Sequence, residues 1–81
     1  MNIPYEEIRI RRLARDAITR KFPNGDINLM LRDVTPLENS VVVGVNARPT
    51  ANAVKSAFVS IAYQAEILNE EADGVQVRIS R

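Results

Sequence analysis

The chain has 81 residues, of which 46% are hydrophobic and 26% are charged, and this length and composition predict one small domain spanning residues 1–81. Eleven basic and ten acidic residues leave a net charge of +1, so the chain as a whole creates no field that would gather nucleic acid or an anionic membrane. Cysteine and histidine are absent, which excludes disulfides, thiol nucleophiles, the usual zinc ligands and the ordinary base at neutral pH.

The first predicted element is a helix from about Ile3 to Lys21, which the following sequence Phe-Pro-Asn-Gly brings to an end. Successive helix residues lie about 100° apart. This spacing places the apolar residues of the helix on one arc: Ile3, Ile10, Leu13, Ala14, Ala17 and Ile18. The pattern predicts that this arc packs on a core and that the arginines of the helix lie outside.

Two strands are predicted next. In the first, Ile27, Leu29 and Leu31 alternate with less apolar residues, which is the period of a half-buried strand. In the second, SVVVGVNA, valines alternate in the same way around Gly44. The short loop TPLEN between them favours an antiparallel hairpin.

A second helix is predicted to begin with Thr50 or Asn52 as its cap and to run to about Ala72, where Asp-Gly ends it. Its apolar residues recur at helical spacing: Val54, Phe58, Ile61, Ala65 and Leu68. A last strand follows, in which apolar and polar residues alternate in GVQVRIS.

This order, helix-strand-strand-helix-strand, predicts an α+β fold: a two-layer sandwich with two helices on one face of a three-stranded sheet. The other face is then uncovered, and the alternation places on it Asn28, Met30, Arg32, Val42, Asn46, Gln76 and Arg78. Two interpretations stay open. The face is solvated, or it is an interface with a partner, which includes a second copy of the chain as a homodimer.

The helix sequence RIRRLARDAITRK, residues 9–21, carries six basic residues and one acid. Such a pattern is typical of a solvated helix surface with salt bridges. It also fits phosphate binding, because exposed cations neutralise a phosphate backbone. The candidates for that role are Arg9, Arg12, Arg15, Arg20 and, at the start of the second helix, Arg48.

A protein partner is the third interpretation of this helix. Tyr5 and Ile8 fall on the same outward arc as Arg12 and Arg15. Tyrosine and arginine are favoured anchors of protein interfaces. The arc therefore predicts a surface at which an apolar pair flanked by arginines contacts another protein.

The end of the predicted second helix has the opposite charge. Its sequence AEILNEEAD carries Glu66, Glu70, Glu71 and Asp73, at the end where the helix dipole disfavours acids. Either arginines of the first helix pair with these acids within the molecule, or a basic partner does. The acids lack the fixed spacing of a calcium loop.

The segment LARDAITRKFPNGDINLMLRDVTPLENSVVVG, residues 13–44, resembles the start of the DinI-like family of small DNA-damage-inducible modulators of the RecA recombinase. In that family too a helix runs into Phe-Pro and is followed by two strands and a helix with an acidic end. The matching pieces here are Phe22-Pro23, NSVVVG and EILNEEAD. The resemblance covers about half of the chain, which opens on its helix and adds a strand, whereas the family opens with a strand and closes on its acidic helix. It implies a non-enzymatic protein that binds a recombinase filament through Glu66, Glu70, Glu71 and Asp73.

These observations predict a small domain that is not an enzyme, uses no metal or cofactor, and binds another macromolecule. A protein partner is preferred, and a nucleic-acid-binding domain using the Arg-rich first helix is the alternative. We also expect a cytoplasmic protein with no membrane span and no small-molecule substrate. The expected partner-binding residues are Tyr5, Ile8, Arg12, Arg15, Met30, Arg32, Arg78, Glu66, Glu70 and Glu71.

Overall fold

The computed structural model describes residues 3–71 and 74–80, with side chains from residue 6 onward. Its elements follow in chain order as α1 (Ile3–Lys21), α2 (Ile27–Met30), β1 (Leu31–Pro36), β2 (Val41–Val45), α3 (Arg48–Ser60), β3 (Gln64–Glu71) and β4 (Gly74–Ser80). The helices pack against one antiparallel sheet. The predicted α+β architecture is therefore confirmed.

The four strands form the sheet in the order β1-β2-β4-β3. β2 and β4 lie in the centre, and their inward valines and isoleucine are buried. Each edge strand contains a bulge, between Leu31 and Asp33 in β1 and between Ile67 and Asn69 in β3. Bulges at both edges hinder the sheet from pairing with further strands.

The core lies between the sheet and the two long helices, which also contact each other. The buried residues of α1 are spaced by four and confirm the centre of the predicted arc: Ile10, Ala14 and Ile18. α3 contributes Val54 and Phe58, both fully buried. The Phe58 ring packs edge-on against Tyr63 with 5.3 Å between ring centroids, a favourable aromatic arrangement.

The predicted second helix was wrong at both ends. α3 begins at Arg48 with Ala47 as its N-cap, so Thr50 and Asn52 lie inside the helix. α3 ends at Ser60, and residues 64–71 form β3, so the sheet has four strands instead of three. Ala62, with a left-handed φ of 72°, and the N–H of Tyr63, which donates to the carbonyl of Phe58, turn the chain back. β3 then supplies the backbone partners of β4. This pairing outweighs the helix propensity of the Ala, Glu and Leu residues in the segment.

The first predicted strand was wrong in its start. Residues 27–30 form the single-turn helix α2, and the strand begins at Leu31. The carboxylate of Asp26 caps α2 by accepting from the N–H of Asn28. As a result Met30 is half-buried against the core and Leu29 is 69% exposed, the reverse of the predicted alternation.

The outer face of the sheet is the face turned away from α1 and α3. Four of the residues predicted for it lie there: Arg32, Val42, Gln76 and Arg78. Asn28 and Met30 do not, because they belong to α2. Asn46 follows the end of β2, and its side-chain oxygen accepts a hydrogen bond of 2.6 Å from the hydroxyl of Thr50.

Candidate interaction surface

α1 presents to solvent the side opposite its buried arc. Because the inward residues repeat every four positions, Ile8, Arg12 and Arg15 fall on the far side of the helix. Ile8 is 58% exposed and the two arginines are exposed, as predicted. The side chain of Tyr5 lies outside the described residues. We define the outer face of α1 as Ile8, Arg11, Arg12 and Arg15.

These four side chains line a shallow hollow of about 320 Å³, and Asp16 is its fifth lining residue. Their spacing is i, i+3, i+4 and i+7, so they form the four corners of a diamond on the helix surface. Ile8 is the apolar corner, and the other three carry guanidinium groups. Arg11 donates to the Glu7 carboxylate over 3.4 Å, which ties this corner to its own helix.

The positive charge of α1 is largely uncompensated. The ion pairs formed among the described residues do not involve four of its arginines: Arg9, Arg12, Arg15 and Arg20. All four are exposed. Arg20 and Lys21 occupy the last turn of the helix, where the dipole favours cations. An anionic partner therefore has free access to the phosphate-binding candidates of α1.

The acidic residues lie on a strand and not at the end of a helix, which corrects the prediction for this segment. Glu66 pairs with Arg78 on the neighbouring strand, and Glu70 pairs with Arg48 at the start of α3. Pairing within the molecule is thus confirmed for two acids, but not with the arginines of α1. Both pairs are about half exposed, so each contributes at most about 1 kcal/mol.

Two of the remaining candidate residues, Arg32 and Glu71, line one hollow on the sheet together with Gln76. Glu71 is exposed at the end of β3, and Asp73 lies outside the described residues. Arg32 is exposed at the bulge of β1, near Gly74. Met30 packs toward the core, so it offers a partner little surface.

Sequence reasoning missed an apolar hollow at one end of the sheet. It has a volume of about 360 Å³, and Ile10, Leu37, Tyr63 and Ile79 are among its lining residues. These residues come from α1, the loop between β1 and β2, the turn before β3, and β4. Because four separate segments meet there, no single pattern in the sequence could have indicated it.

The described residues lack two structural features. They contain no helix with the length and hydropathy needed to cross a membrane. They also contain no group of three or more side chains arranged to hold a metal ion.

Comparison of the chain with protein-family models, curated proteins and solved structures gave no match. The resemblance to the DinI-like family therefore stays a prediction, and the surface geometry alone guides a functional proposal.

Proposed function

We propose that this protein is a non-enzymatic binding module that recognises a partner protein through the outer face of α1. The observation that carries the proposal is the 58% exposure of Ile8 between three arginines. Single exposed apolar residues are common on proteins, and Leu29 and Val59 are examples here. Ile8 differs from them because arginine, which is enriched at interface hot spots, surrounds it.

A second copy of the chain is the alternative protein partner. Two copies would not meet readily through α1, because the three arginines of each outer face would meet those of the other with only Asp16 beside them as a counter-charge. The outer face of the sheet fits self-association better, since it offers the partly buried Val42 beside the Arg78–Glu66 pair. A concentration-dependent mass, removed by Val42→Lys, would support this alternative.

Nucleic-acid binding is the second candidate function, and the four unpaired arginines of α1 favour it. It predicts affinity for a short DNA duplex that falls steeply with salt, with a logarithmic slope of about 0.9 for each phosphate neutralised. Ile8 fits this function poorly, because an aliphatic side chain gains little from a phosphate backbone.

We also propose a cytoplasmic location, because a chain without cysteine forms no disulfides and so needs no oxidising compartment.

The resemblance to the DinI-like family would direct binding to the acids of β3. Two of these acids are engaged by Arg78 and Arg48, so a recombinase filament would have to replace two existing ion pairs. This partner is therefore a secondary proposal. It requires that the purified protein bind a recombinase filament and that Glu66→Gln and Glu71→Gln weaken the binding.

The main proposal is tested with immobilised wild-type protein and two variants, Ile8→Asp and Val59→Asp. Val59 is the matched control, because it is also an aliphatic residue on a helix and is 53% exposed. In an extract of the cells that make the protein, we expect a protein retained by wild type and Val59→Asp but lost with Ile8→Asp. Retention of the same proteins by all three, or binding of DNA alone in sedimentation, would contradict the proposal.

A further inference from the structure

We propose that the outer face of α1 receives an acidic amphipathic helix of the partner, which inserts an apolar side chain between Ile8, Arg12 and their neighbours. This inference rests on the proposed function and names the chemistry of its partner. The observation behind it is the hollow lined by four residues at i, i+3, i+4 and i+7 of one helix, together with Asp16, so that three cations and one acid surround it. In helix pairs that pack side by side, each inserted side chain enters a space formed by four residues of the facing helix with this spacing.

The charges of the side chains at the four corners determine which charge a partner helix must carry. Three of the four corners are arginines, and two of these, Arg12 and Arg15, take part in no ion pair among the described residues. Covering them with a neutral or basic helix would remove water from unpaired charges, which is costly. Carboxylates on both sides of the inserted apolar residue would instead pair with the guanidinium groups. The partner helix therefore carries a leucine-like residue flanked by Asp or Glu.

A second copy of this chain does not supply such a helix. α1 itself is basic, and the exposed side of α3 carries Lys55 but no acid. The acids of β3 lie on a strand, and two of them are already paired. Among the described elements none matches the required partner, so the geometry points to a different protein.

The inference is tested with a labelled synthetic helical peptide that has leucines along one face and glutamates on either side. Its binding to the full chain is measured by fluorescence anisotropy. We expect Ile8→Asp and Arg12→Glu to weaken binding by about tenfold or more. Arg9→Glu is the matched control, because it makes the same charge change on the same helix outside the hollow, and we expect a loss of only about threefold, since an exposed charge with no direct partner contributes little.

A second peptide with the same composition but scattered leucines separates helix packing from simple charge attraction. We expect it to bind at least about tenfold more weakly than the amphipathic peptide. Equal binding of the two peptides, or equal losses from Arg9→Glu and Arg12→Glu, would overturn the inference in favour of general anion binding. A short DNA duplex that binds more tightly than either peptide would overturn it in favour of nucleic acid.

The two proposals fail in different ways. If neither peptide binds but the cell extract yields a protein lost with Ile8→Asp, the acidic helix is wrong and the interaction surface stands. If the extract yields no such protein and neither peptide binds, the proposed function fails together with the inference. Circular dichroism of each variant ensures that lost binding reflects the surface and not unfolding.

Discussion

Apart from the single-turn helix α2, the molecule is built from two halves with the same order of elements. α1, β1 and β2 form the first, and α3, β3 and β4 form the second; each gives a helix, an edge strand and a central strand. The central strands pair with each other, and both helices pack over the same core. The inner sides of α1 and α3 therefore have the same role, which is to pack on the shared core.

The outer sides of the two helices differ. Most exposed positions of α3 carry small or polar residues, with Arg48, Lys55 and Val59 as exceptions. α1 instead exposes Ile8 and five arginines: Arg9, Arg11, Arg12, Arg15 and Arg20. α3 therefore shows that a helix can pack on this sheet without a row of arginines on its exposed side. The additional positive charge that surrounds Ile8 on α1 is thus a feature that folding does not explain, and this is why we propose binding at α1.

The largest effect on stability is expected from truncating Phe58, the aromatic side chain that α3 buries in the second half. Phe58 is fully buried and packs on Tyr63, so Phe58→Ala should lower the free energy of unfolding by about 3–5 kcal/mol. Among the side chains of α1 that the structure describes, the buried ones are aliphatic, and the corresponding truncation Ile18→Ala should cost about 2–5 kcal/mol. Urea unfolding measures both. A loss below about 1 kcal/mol for Phe58→Ala would show that α3 is held by other contacts.

A smaller effect distinguishes the glycines of the two central strands. A Cβ at Gly74 would lie 2.9 Å from the carbonyl oxygen of Val45, which is backbone and cannot move alone. Gly74→Ala should therefore cost about 1–3 kcal/mol. A Cβ at Gly44 would meet the Asp33 carboxylate, which can rotate away, so Gly44→Ala should cost less than about 1 kcal/mol.

The contrast between the glycines has an internal control. In an Asp33→Ala background the obstacle at Gly44 is gone, and Gly44→Ala should become neutral or stabilising by up to about 1 kcal/mol. Thermal unfolding of the single and double variants checks this result. Equal losses from both glycine substitutions would mean that the two central strands are equally crowded and that the halves do not differ here.

Sequence patterns predicted the elements whose local signals agree with their packing. The buried arc of α1, the valines of β2 and the alternation of β4 all appear where they were expected. β3 could not be predicted from its own residues, because Ala65 and Leu68 lie at helical spacing and strand formation depends on pairing with β4. Asp-Gly before β4 is also a common hairpin signal, and its interpretation as a helix end hid the fourth strand.

The candidate surface also has some features that the sequence predicted and others that it did not. The outward positions of Ile8, Arg12 and Arg15 follow from helical periodicity alone, and exposure confirms them. The partners of Glu66 and Glu70 could not be predicted, because cross-strand register and the approach of α3 to β3 decide them. Sequence reasoning is therefore reliable for surfaces within one helix and weak for contacts between elements.

The smallest effect on stability is expected at the surface that matters most for binding. Ile8→Asp should change the free energy of unfolding by less than about 0.5 kcal/mol, since Ile8 is an exposed residue away from the core. Val59→Asp should cost about 0.3–1 kcal/mol, because it places an acid in the last turn of α3, where the dipole disfavours it. Chemical unfolding thus ranks Val59→Asp as the more damaging variant, while partner binding should rank Ile8→Asp as the more damaging one. If Val59→Asp is the less stable variant and Ile8→Asp the weaker binder, Ile8 serves binding and not folding. If Ile8→Asp unfolds instead, Ile8 belongs to the core and the outer face of α1 is not an interaction surface.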